Sequence, residues 1–321
     1  MTAPAANPRD PHKVNTLVSA AGADPCDGAV RWAPARSLWN AAMLLVALVF
    51  APMLFTWGAF AAFLALSAVT LCCGYSVGFH RRLIHRSFDC PPWLERTLVW
   101  LGTATGVGGP LGMIRAHDLR DWGQREARCH PYLSHRGGFL RDGWWNLHCR
   151  LVLARPPVFD LGPGLAGDRF YAFLERTWML QQAPIALALY ACGGWPWVVW
   201  GVCARVSACA TMHWFISYFA HTRGPQRWIV DDAGIQAHDV AIAAIPTMGE
   251  SWHNNHHAFP GSARHGLHPG QPDAGYRFIQ LLAWLGLAWN VQTPETLPPR
   301  PGLSLVRAGA AMATRETASI A

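Results

Sequence analysis

The chain has 321 residues, of which 51% are hydrophobic and only 14% are charged, and its net charge is +7. Soluble domains ordinarily carry about 25% charged residues, so this composition argues against a soluble protein and indicates a membrane protein. The positive charge is not concentrated in a soluble module, which argues against nucleic-acid binding and favours contact with anionic lipid headgroups.

The two ends of the chain differ in composition from the middle. Residues 1–30 are rich in Ala, Pro, Asp and Gly and have no apolar core, which predicts a disordered leader without a signal peptide. Residues 303–321 resemble them, and we expect a flexible tail there. Residues 31–302 are then predicted to form one membrane domain.

Two long apolar stretches predict the membrane-spanning helices. No Asp, Glu, Lys or Arg occurs from Ser37 to Phe79, a stretch long enough for two spans at roughly 20 residues each. A second apolar block runs from Trp178 to Phe219 and contains the turn Gly193-Gly194-Trp195-Pro196. We therefore expect an all-α integral membrane protein with four transmembrane helices in two hairpins. The predicted spans lie near residues 38–55, 58–79, 178–194 and 197–219.

Arginine residues flank the outer ends of the predicted spans, whereas both hairpin turns carry no charge. By the positive-inside rule, this predicts that both termini and the histidine clusters described below lie on the cytoplasmic side of a bacterial inner membrane. The flanking arginines are Arg31, Arg36, Arg81, Arg82, Arg86, Arg169, Arg176, Arg223 and Arg227.

Residues 88–176 and 225–291 are predicted to form a cytoplasmic helical cap. Within it, residues 93–112 are apolar enough to lie at the membrane interface, but their glycines argue against a fifth span. We also expect a helix near residues 276–289 that closes the site or lies against the membrane.

Three histidines fall within five residues of the segment Gly249-Glu250-Ser251-Trp252-His253-Asn254-Asn255-His256-His257. Positions i, i+3 and i+4 share one face of a helix, so the three imidazoles can converge. Histidine is the commonest metal ligand in proteins. This spacing therefore predicts a metal site.

Two further histidine groups lie at the cytoplasmic ends of predicted spans. His80 and His85 are five residues apart and would point roughly 140° apart on an ideal helix, so they can share a site only if the helix ends or distorts between them. His213, Ser217 and His221 follow one another at i+4 steps along the fourth span. His221, at the end of that span, is the better ligand candidate, and His213 is expected to be a hydrogen-bonded core residue.

These groups resemble the histidine boxes of the integral-membrane fatty acyl desaturases, in particular the acyl-CoA (stearoyl-CoA type) Δ9 branch and its bacterial relatives. The first box is similar to His80-Arg-x-x-x-His85-Arg-Ser-Phe, and the last to the segment from Gly249 to His257. The box at the end of the fourth span is similar to Ser217-x-x-x-His221, with Ser in place of the family's Asn. The resemblance extends over residues 30–291.

The second box, H-x-x-H-H in the family, is altered in this chain. The sequence His117-Asp118-Leu119-Arg120-Asp121 keeps the first histidine and replaces the last two with Arg120 and Asp121. Three interpretations stay open: Asp121 supplies a carboxylate ligand, His130 or His135 moves in, or the second metal binds weakly or not at all. Arg120 and Ser217 are expected to contact the metal site indirectly or through water. The resemblance and this reading together give the metal ligands His80, His85, His117, Asp121, His221, His253, His256 and His257.

The resemblance implies an O2-dependent enzyme with two iron ions. It would introduce a cis double bond, at Δ9, into a long-chain acyl-CoA or other acyl lipid. Electrons would come from a separate ferredoxin-like or cytochrome b5-like donor. Two alternatives are a membrane hydroxylase on the same scaffold and a non-catalytic lipid-binding relative with an incomplete metal site.

Substrate contacts are expected at two places. The small side chains of Ala68 and Cys72, counted back from His80 at 3.6 residues per turn, would leave room for an acyl chain inside the bundle. Arg136, Arg141 and Trp144 are candidates for contact with the headgroup.

Overall fold

The computed structural model describes residues 11–12 and 14–306, and this part of the chain is mostly helical. Two π-helical segments, named π1 (Thr70–Ile84) and π2 (Val199–Ala204), continue α2 and α9. A short 3-10 helix covers Ala241–Ala243. The α-helices are α1 (Pro34–Met53), α2 (Trp57–Val69), α3 (Pro92–Thr103), α4 (Pro110–Arg125), α5 (Pro131–Ser134), α6 (Phe139–His148), α7 (Pro163–Ala166), α8 (Arg169–Thr177), α9 (Gln182–Val198), α10 (Arg205–Thr222), α11 (His253–Ala258) and α12 (Ala274–Trp284).

Three helices of the described chain are long and apolar enough to cross a membrane. They are Pro34–Met53, Trp57–Ile84 and Gln182–Thr222, with mean hydropathies of 1.4, 1.9 and 1.4. The first two of them separate close to the break between the predicted spans 38–55 and 58–79, since α1 ends at Met53 and the hydroxyl of Thr56 caps α2 by accepting from the Ala59 N–H.

The longest of these helices, Gln182–Thr222, is folded back on itself. Its backbone leaves helical geometry at Gly193 and Gly194, and Gly194 has a φ of 64°, which favours glycine. The side chain of Leu189 packs on Gly201, where an added Cβ would lie 2.6 Å from Leu189 Cδ1. Twelve residues of straight helix would hold these positions about 18 Å apart. The predicted turn at Gly193 and Gly194 therefore joins two antiparallel helices.

The first hairpin ends in π1, which places the first pair of histidines. In a π-helix each N–H bonds to the carbonyl five residues earlier, and the His85 N–H bonds to the His80 carbonyl at 3.0 Å. Residues five apart therefore lie nearly above one another, unlike in an α-helix. His80 and His85 are predicted to share a site only if the helix ends or distorts between them. The change from α-helix to π-helix is that distortion.

Two glycines allow π1 to lie directly against α3. An added Cβ at Gly74 would lie 2.3 Å from the backbone of Leu101, and one at Gly78 would lie 2.5 Å from the carbonyl oxygen of Leu98. Any side chain at these positions would push the two helices apart. The close approach fixes π1, and with it His80, against α3.

The described part of the chain contains three two-stranded antiparallel sheets, which the all-α prediction does not include. The structure differs from the expected disordered leader, because two strands within residues 17–32 find partners much later in the chain, which composition does not reveal. The expected tail likewise begins with a strand. Residues 1–10, 13 and 307–321 lie outside the described residues. The pairs are β1 (Leu17–Ser19) with β4 (Val158–Phe159), β2 (Gly28–Trp32) with β3 (Cys149–Leu153), and β5 (Trp228–Val230) with β6 (Leu303–Leu305).

Shorter helices occupy the two regions predicted as a cap, 88–176 and 225–291, with two differences from the predicted bounds. The apolar region expected at 93–112 contains the twelve-residue helix α3 and then the start of α4 at Pro110. The helix expected near 276–289 is α12, which begins two residues earlier and ends at Trp284.

Candidate metal centre

Four imidazoles from three segments converge at the C-terminal end of the first hairpin. They belong to His80, His85, His117 and His256, and their ligand atoms all lie within 4.8 Å of one another. His85 Nε2 is 3.2 Å from His80 Nε2 and 3.3 Å from His117 Nε2. We call this set the four-histidine group.

Three imidazoles form a second set beside the first. His221 at the end of α10 meets His253 and His257 of α11, and the Nε2 atoms of His253 and His257 are 3.0 Å apart. We call this set the three-histidine group. The two sets adjoin through α11, since the rings of His256 and His257 have centroids 5.6 Å apart.

The spacing of these nitrogens fits a shared metal ion. Two nitrogen atoms that each bind one ion at about 2.1 Å lie roughly 3.0–3.4 Å apart, depending on the angle between them. The three measured separations, 3.0, 3.2 and 3.3 Å, fall within that range. Both groups therefore have a donor set suited to a transition metal.

Carboxylates behind the four-histidine group orient its rings. The Nδ1–H of His117 donates to Asp118 at 3.1 Å, which directs Nε2 into the group. The Nδ1 of His80 lies 2.5 Å from Glu250 Oε2. Carboxylates in this position fix the ring and make the opposite nitrogen a better metal ligand.

Each group includes a buried ring nitrogen without a hydrogen-bond partner in the described structure. The Nδ1–H of His221 donates to the Ser217 carbonyl at 2.7 Å, and its Nε2 is buried without a hydrogen-bond partner in the described structure. The Nδ1 of His256 is likewise buried and unpaired. Buried polar atoms are rarely left unsatisfied in proteins, so both atoms fit a role as metal donors.

Burial also keeps imidazoles of both groups neutral, as metal binding requires. It lowers the pKa of His85, His256 and His257 well below the ordinary value. Burial, and then the neighbouring His80, lowers the pKa of His253 to about 3. Each of these rings is neutral at pH 7 and can donate a lone pair to a metal.

A cavity of about 200 Å³ opens beside both groups, and we call it the central cavity. His80 and His117 line it from the first group, and all three members of the second group line it as well. Most of the remaining wall is apolar. Apolar side chains of this wall include Leu71, Ile84, Val107, Met113, Leu147, Ala210, Met212, Trp214 and Ile216.

Comparison with known proteins gives these histidines a family. Residues 55–274 match the family model described as fatty acid desaturase. The chain belongs to the fatty acid desaturase family. It is therefore an oxidoreductase, as the histidine boxes predict.

The relatives include proteins named as acyl-lipid desaturases and as acyl-CoA desaturases. The chain is 34% identical to the sn-2 palmitoyl-lipid 9-desaturase of Nostoc sp. (strain 36) over 75% of this chain and 84% of that protein. It is 35% identical to the sn-1 stearoyl-lipid 9-desaturase of Anabaena variabilis, over 77% and 88%. It is 32% identical to the acyl-CoA C20 Delta5-desaturase of Anemone leveillei, over 80% and 81%.

Asp121 of the desaturase, predicted as a ligand, lies in neither histidine group. Its Oδ2 accepts from Arg125 at 2.9 Å, one turn later on α4. Burial opposes ionisation of Asp121, but Arg125 and the histidines outweigh it, so the pKa of the carboxyl is lowered. Asp121 is therefore an ionised carboxylate that lines the central cavity and is held by an arginine.

Arg120 belongs to a hydrogen-bond chain that also occupies His135. The guanidinium donates to Ser217 Oγ at 3.0 Å and to Asn146 Oδ1 at 2.6 Å. The Ser217 hydroxyl lies 2.9 Å from His135 Nε2, and the Nδ1–H of His135 donates to Asp142 at 2.9 Å. Since Asp142 accepts from Nδ1, Nε2 of His135 accepts from Ser217. His135 stacks against His221 but has no free lone pair for a metal.

Two other histidines have structural partners. His130 caps α5, where its Nδ1 accepts from the Tyr132 N–H at 3.1 Å. His213 bonds to the Tyr75 hydroxyl at 2.8 Å through Nδ1, as expected of a hydrogen-bonded core residue.

A buried layer behind His80 was not predicted from the sequence. His265 is fully buried, and its Nδ1 accepts from Arg81 at 3.2 Å. Arg81 in turn pairs with Glu250 and Asp273 at 3.3 and 2.8 Å. Glu250 stands inside the last histidine box, which was a usable signal, whereas nothing in the sequence around His265 marks it.

The predicted substrate contacts do not line the cavity. Leu71 and Tyr75 face it in place of Ala68 and Cys72, and Ala68 is exposed on the outer surface. The prediction counted at 3.6 residues per turn, and the hydrogen bonding of π1 shifts the face that looks inward.

The three residues predicted to contact the headgroup lie on the outer surface of the described structure. Arg136 and Arg141 are exposed, and Trp144 is 52% exposed. Arg141 stacks over the ring of Trp145 at 5.8 Å. None of the three lines the central cavity.

Proposed function

We propose that this desaturase introduces a cis double bond, at Δ9, into a long-chain acyl group carried by CoA or by a lipid. The observation that carries the proposal is the pair of buried histidine groups beside one largely apolar cavity. The names of the Nostoc and Anabaena relatives support attack at position 9.

Two iron ions are the proposed cofactor. One would be held by His80, His85, His117 and His256, and the other by the three-histidine group. Bound iron with O2 supplies an oxidant strong enough to remove hydrogen from an unactivated methylene. The protein would hold neutral imidazoles at the spacing of a shared ion, with Asp118 and Glu250 orienting two of them.

The cavity wall would position the acyl chain and exclude water. Leu71, Met113 and Ile216 are part of an apolar surface on which methylene groups pack without losing hydrogen bonds. Because that surface is continuous with both histidine groups, a chain lying along it would pass the metal site.

The three-histidine group is the weaker half of the proposed centre. It has one imidazole fewer than its neighbour, and the positively charged Arg120 lies nearby, held by Ser217. Three ligands leave coordination positions open, as catalytic metal sites require. Asp121 could complete it only by leaving Arg125.

The proposed membrane arrangement has four spans, with both termini and the cap in the cytoplasm of a bacterial cell. The turn at Gly193 and Gly194 supports counting Gln182–Thr222 as two spans. A separate ferredoxin-like or cytochrome b5-like protein would donate electrons. Arg136, Arg141 and Trp144, exposed on the cap, would contact the substrate headgroup or the membrane surface.

Analysis of host lipids tests the proposal. The chain is expressed in a bacterium together with a ferredoxin and its reductase, and fatty acid methyl esters are analysed by gas chromatography with mass spectrometry. We expect new cis-monoenes, absent with His256→Ala or His257→Ala. Hydroxy acids would identify a hydroxylase. A protein that purifies without iron and changes no lipid would be the non-catalytic relative.

A further inference from the structure

Two arginines line the central cavity without a carboxylate at ion-pair distance among the described residues. They are Arg36 of α1 and Arg120 of α4. The two carboxylates of the same wall, Asp121 and Glu250, each pair with an arginine that does not line it. The cavity therefore contains two positive charges that its own acidic residues do not neutralise.

The two arginines differ in the hydrogen bonds that the protein makes with their guanidinium groups. Arg120 donates to Asn146 and Ser217, and Asn146 in turn bonds to Asp142 at 3.1 Å, which places a negative charge two hydrogen bonds away. Arg36 has no such support. Its Nε and Nη2 are both buried and have no hydrogen-bond partner in the described structure.

The two unpaired nitrogens of Arg36 form one edge of its guanidinium plane. Nε–H and one N–H of Nη2 run parallel along that edge, at the spacing of two oxygens of a carboxylate or phosphate. A guanidinium with this edge buried and empty is strongly unfavourable. An anionic group would remove the penalty, and a neutral ester would remove only part of it.

Neighbouring residues hold Arg36 in place. One residue later, the Ser37 hydroxyl bonds to His148 Nδ1 at 3.0 Å. One turn later, Asn40 donates to the Leu147 carbonyl at 2.7 Å. The first turn of α1 is thus fixed against the end of α6, so little ordering is needed when a ligand binds.

We propose that Arg36 binds an anionic group of the substrate, a carboxylate or a phosphate, inside the central cavity. The inference rests on the proposed function, since the apolar wall takes the acyl chain and Arg36 takes the charged group attached to it. It names the substrate class as an acyl chain that carries a negative charge, held by an arginine of the same cavity wall that includes members of both histidine groups.

Ligand binding to the metal-free, full-length protein in a neutral detergent tests this by calorimetry. The probes are decanoate, decyl phosphate and methyl decanoate, which share a chain and differ in charge. We expect both anions to bind roughly tenfold or more tightly than the ester, as two charge-assisted hydrogen bonds would give. Decanoate and decyl phosphate then distinguish a carboxylate from a phosphate.

Three variants identify the residue. Arg36→Gln should abolish the preference for the anions, and Arg36→Lys should keep part of it, because lysine keeps the charge but not the paired edge. Arg31→Gln, five residues earlier and exposed on β2, is the matched control and should bind like the wild type. Size-exclusion chromatography establishes that each variant is folded.

Equal binding of acid and ester by the wild type overturns the proposal, as does a preference that survives in Arg36→Gln. The proposed function is judged separately, by the host lipids. New cis-monoenes without an anion preference would leave the desaturase and remove the anion site. An anion preference without a new lipid product would leave the anion site and remove the desaturase.

Discussion

Replacing Arg120 with glutamine should strengthen metal binding at the three-histidine group. The Arg120 guanidinium lies 3.0 Å from Ser217 Oγ, which lies 2.9 Å from His135 Nε2. The ring centroids of His135 and His221 are 5.4 Å apart. The charge therefore lies within about 12 Å of the group on this geometry. Glutamine keeps a hydrogen-bond donor for Ser217 and removes the charge.

The size of the effect follows from Coulomb's law. A unit charge and a divalent ion about 12 Å apart repel by about 3 kcal/mol at an effective dielectric constant of about 20. Asp142, linked to Arg120 through Asn146, offsets part of this field. We therefore expect roughly a ten- to hundredfold gain in affinity at the weaker site.

The assay is a competition titration of the purified metal-free protein with zinc and a chelator, with metal content measured by mass spectrometry. Arg115→Gln is the control, since Arg115 is exposed on the same helix, five residues earlier. If the weaker site of Arg120→Gln has the same affinity as that of Arg115→Gln, the charge of Arg120 does not act on the group and the reasoning fails.

Three further outcomes are expected. Gly78→Ala should lower the melting temperature by roughly 4–10 °C, because its Cβ would lie 2.5 Å from the Leu98 carbonyl oxygen. Gly164→Ala is the control and should have no such effect, because Gly164 has open space around it. Equal melting temperatures of the two variants would contradict the packing. Asp121→Ala should keep the wild-type metal content, and loss of one metal per chain would make Asp121 a ligand after all. The metal-free protein should melt at a constant temperature above about pH 6.5 and at lower temperatures as the pH falls. Burial depresses the pKa of His85, His256 and His257 in the folded chain, so protonation below that pH favours the unfolded chain. A melting temperature that stays constant down to about pH 5 would refute this.

The sequence was sufficient for the features that depend on local pattern. The uncharged stretch from Ser37 to Phe79 predicted the first hairpin, and the glycine pair Gly193-Gly194 predicted the turn of the second. The i, i+3, i+4 spacing predicted that His253, His256 and His257 share a short helix, although they divide between two groups.

Features that depend on distant contacts could not be predicted in this way. The π-helical geometry of π1 occurs where Gly74 and Gly78 pack against α3, a segment distant in the sequence, and it brings His80 to His85 and sets the face that lines the cavity. The lone pair of His135 Nε2 is taken by a hydrogen bond from the Ser217 hydroxyl, 82 residues away in the sequence. Neither leaves a local signature in composition or spacing.

The pairing of β2 with β3 limits how the chain can thread a bilayer. Residues 28–32 form ladder hydrogen bonds with residues 149–153, so both strands lie on the same side of any membrane that the chain crosses. An exposed two-stranded ladder has no place in the hydrocarbon itself. The number of crossings between Trp32 and Cys149 is therefore even, and an insertion or deletion that changed it by one would have to break the sheet.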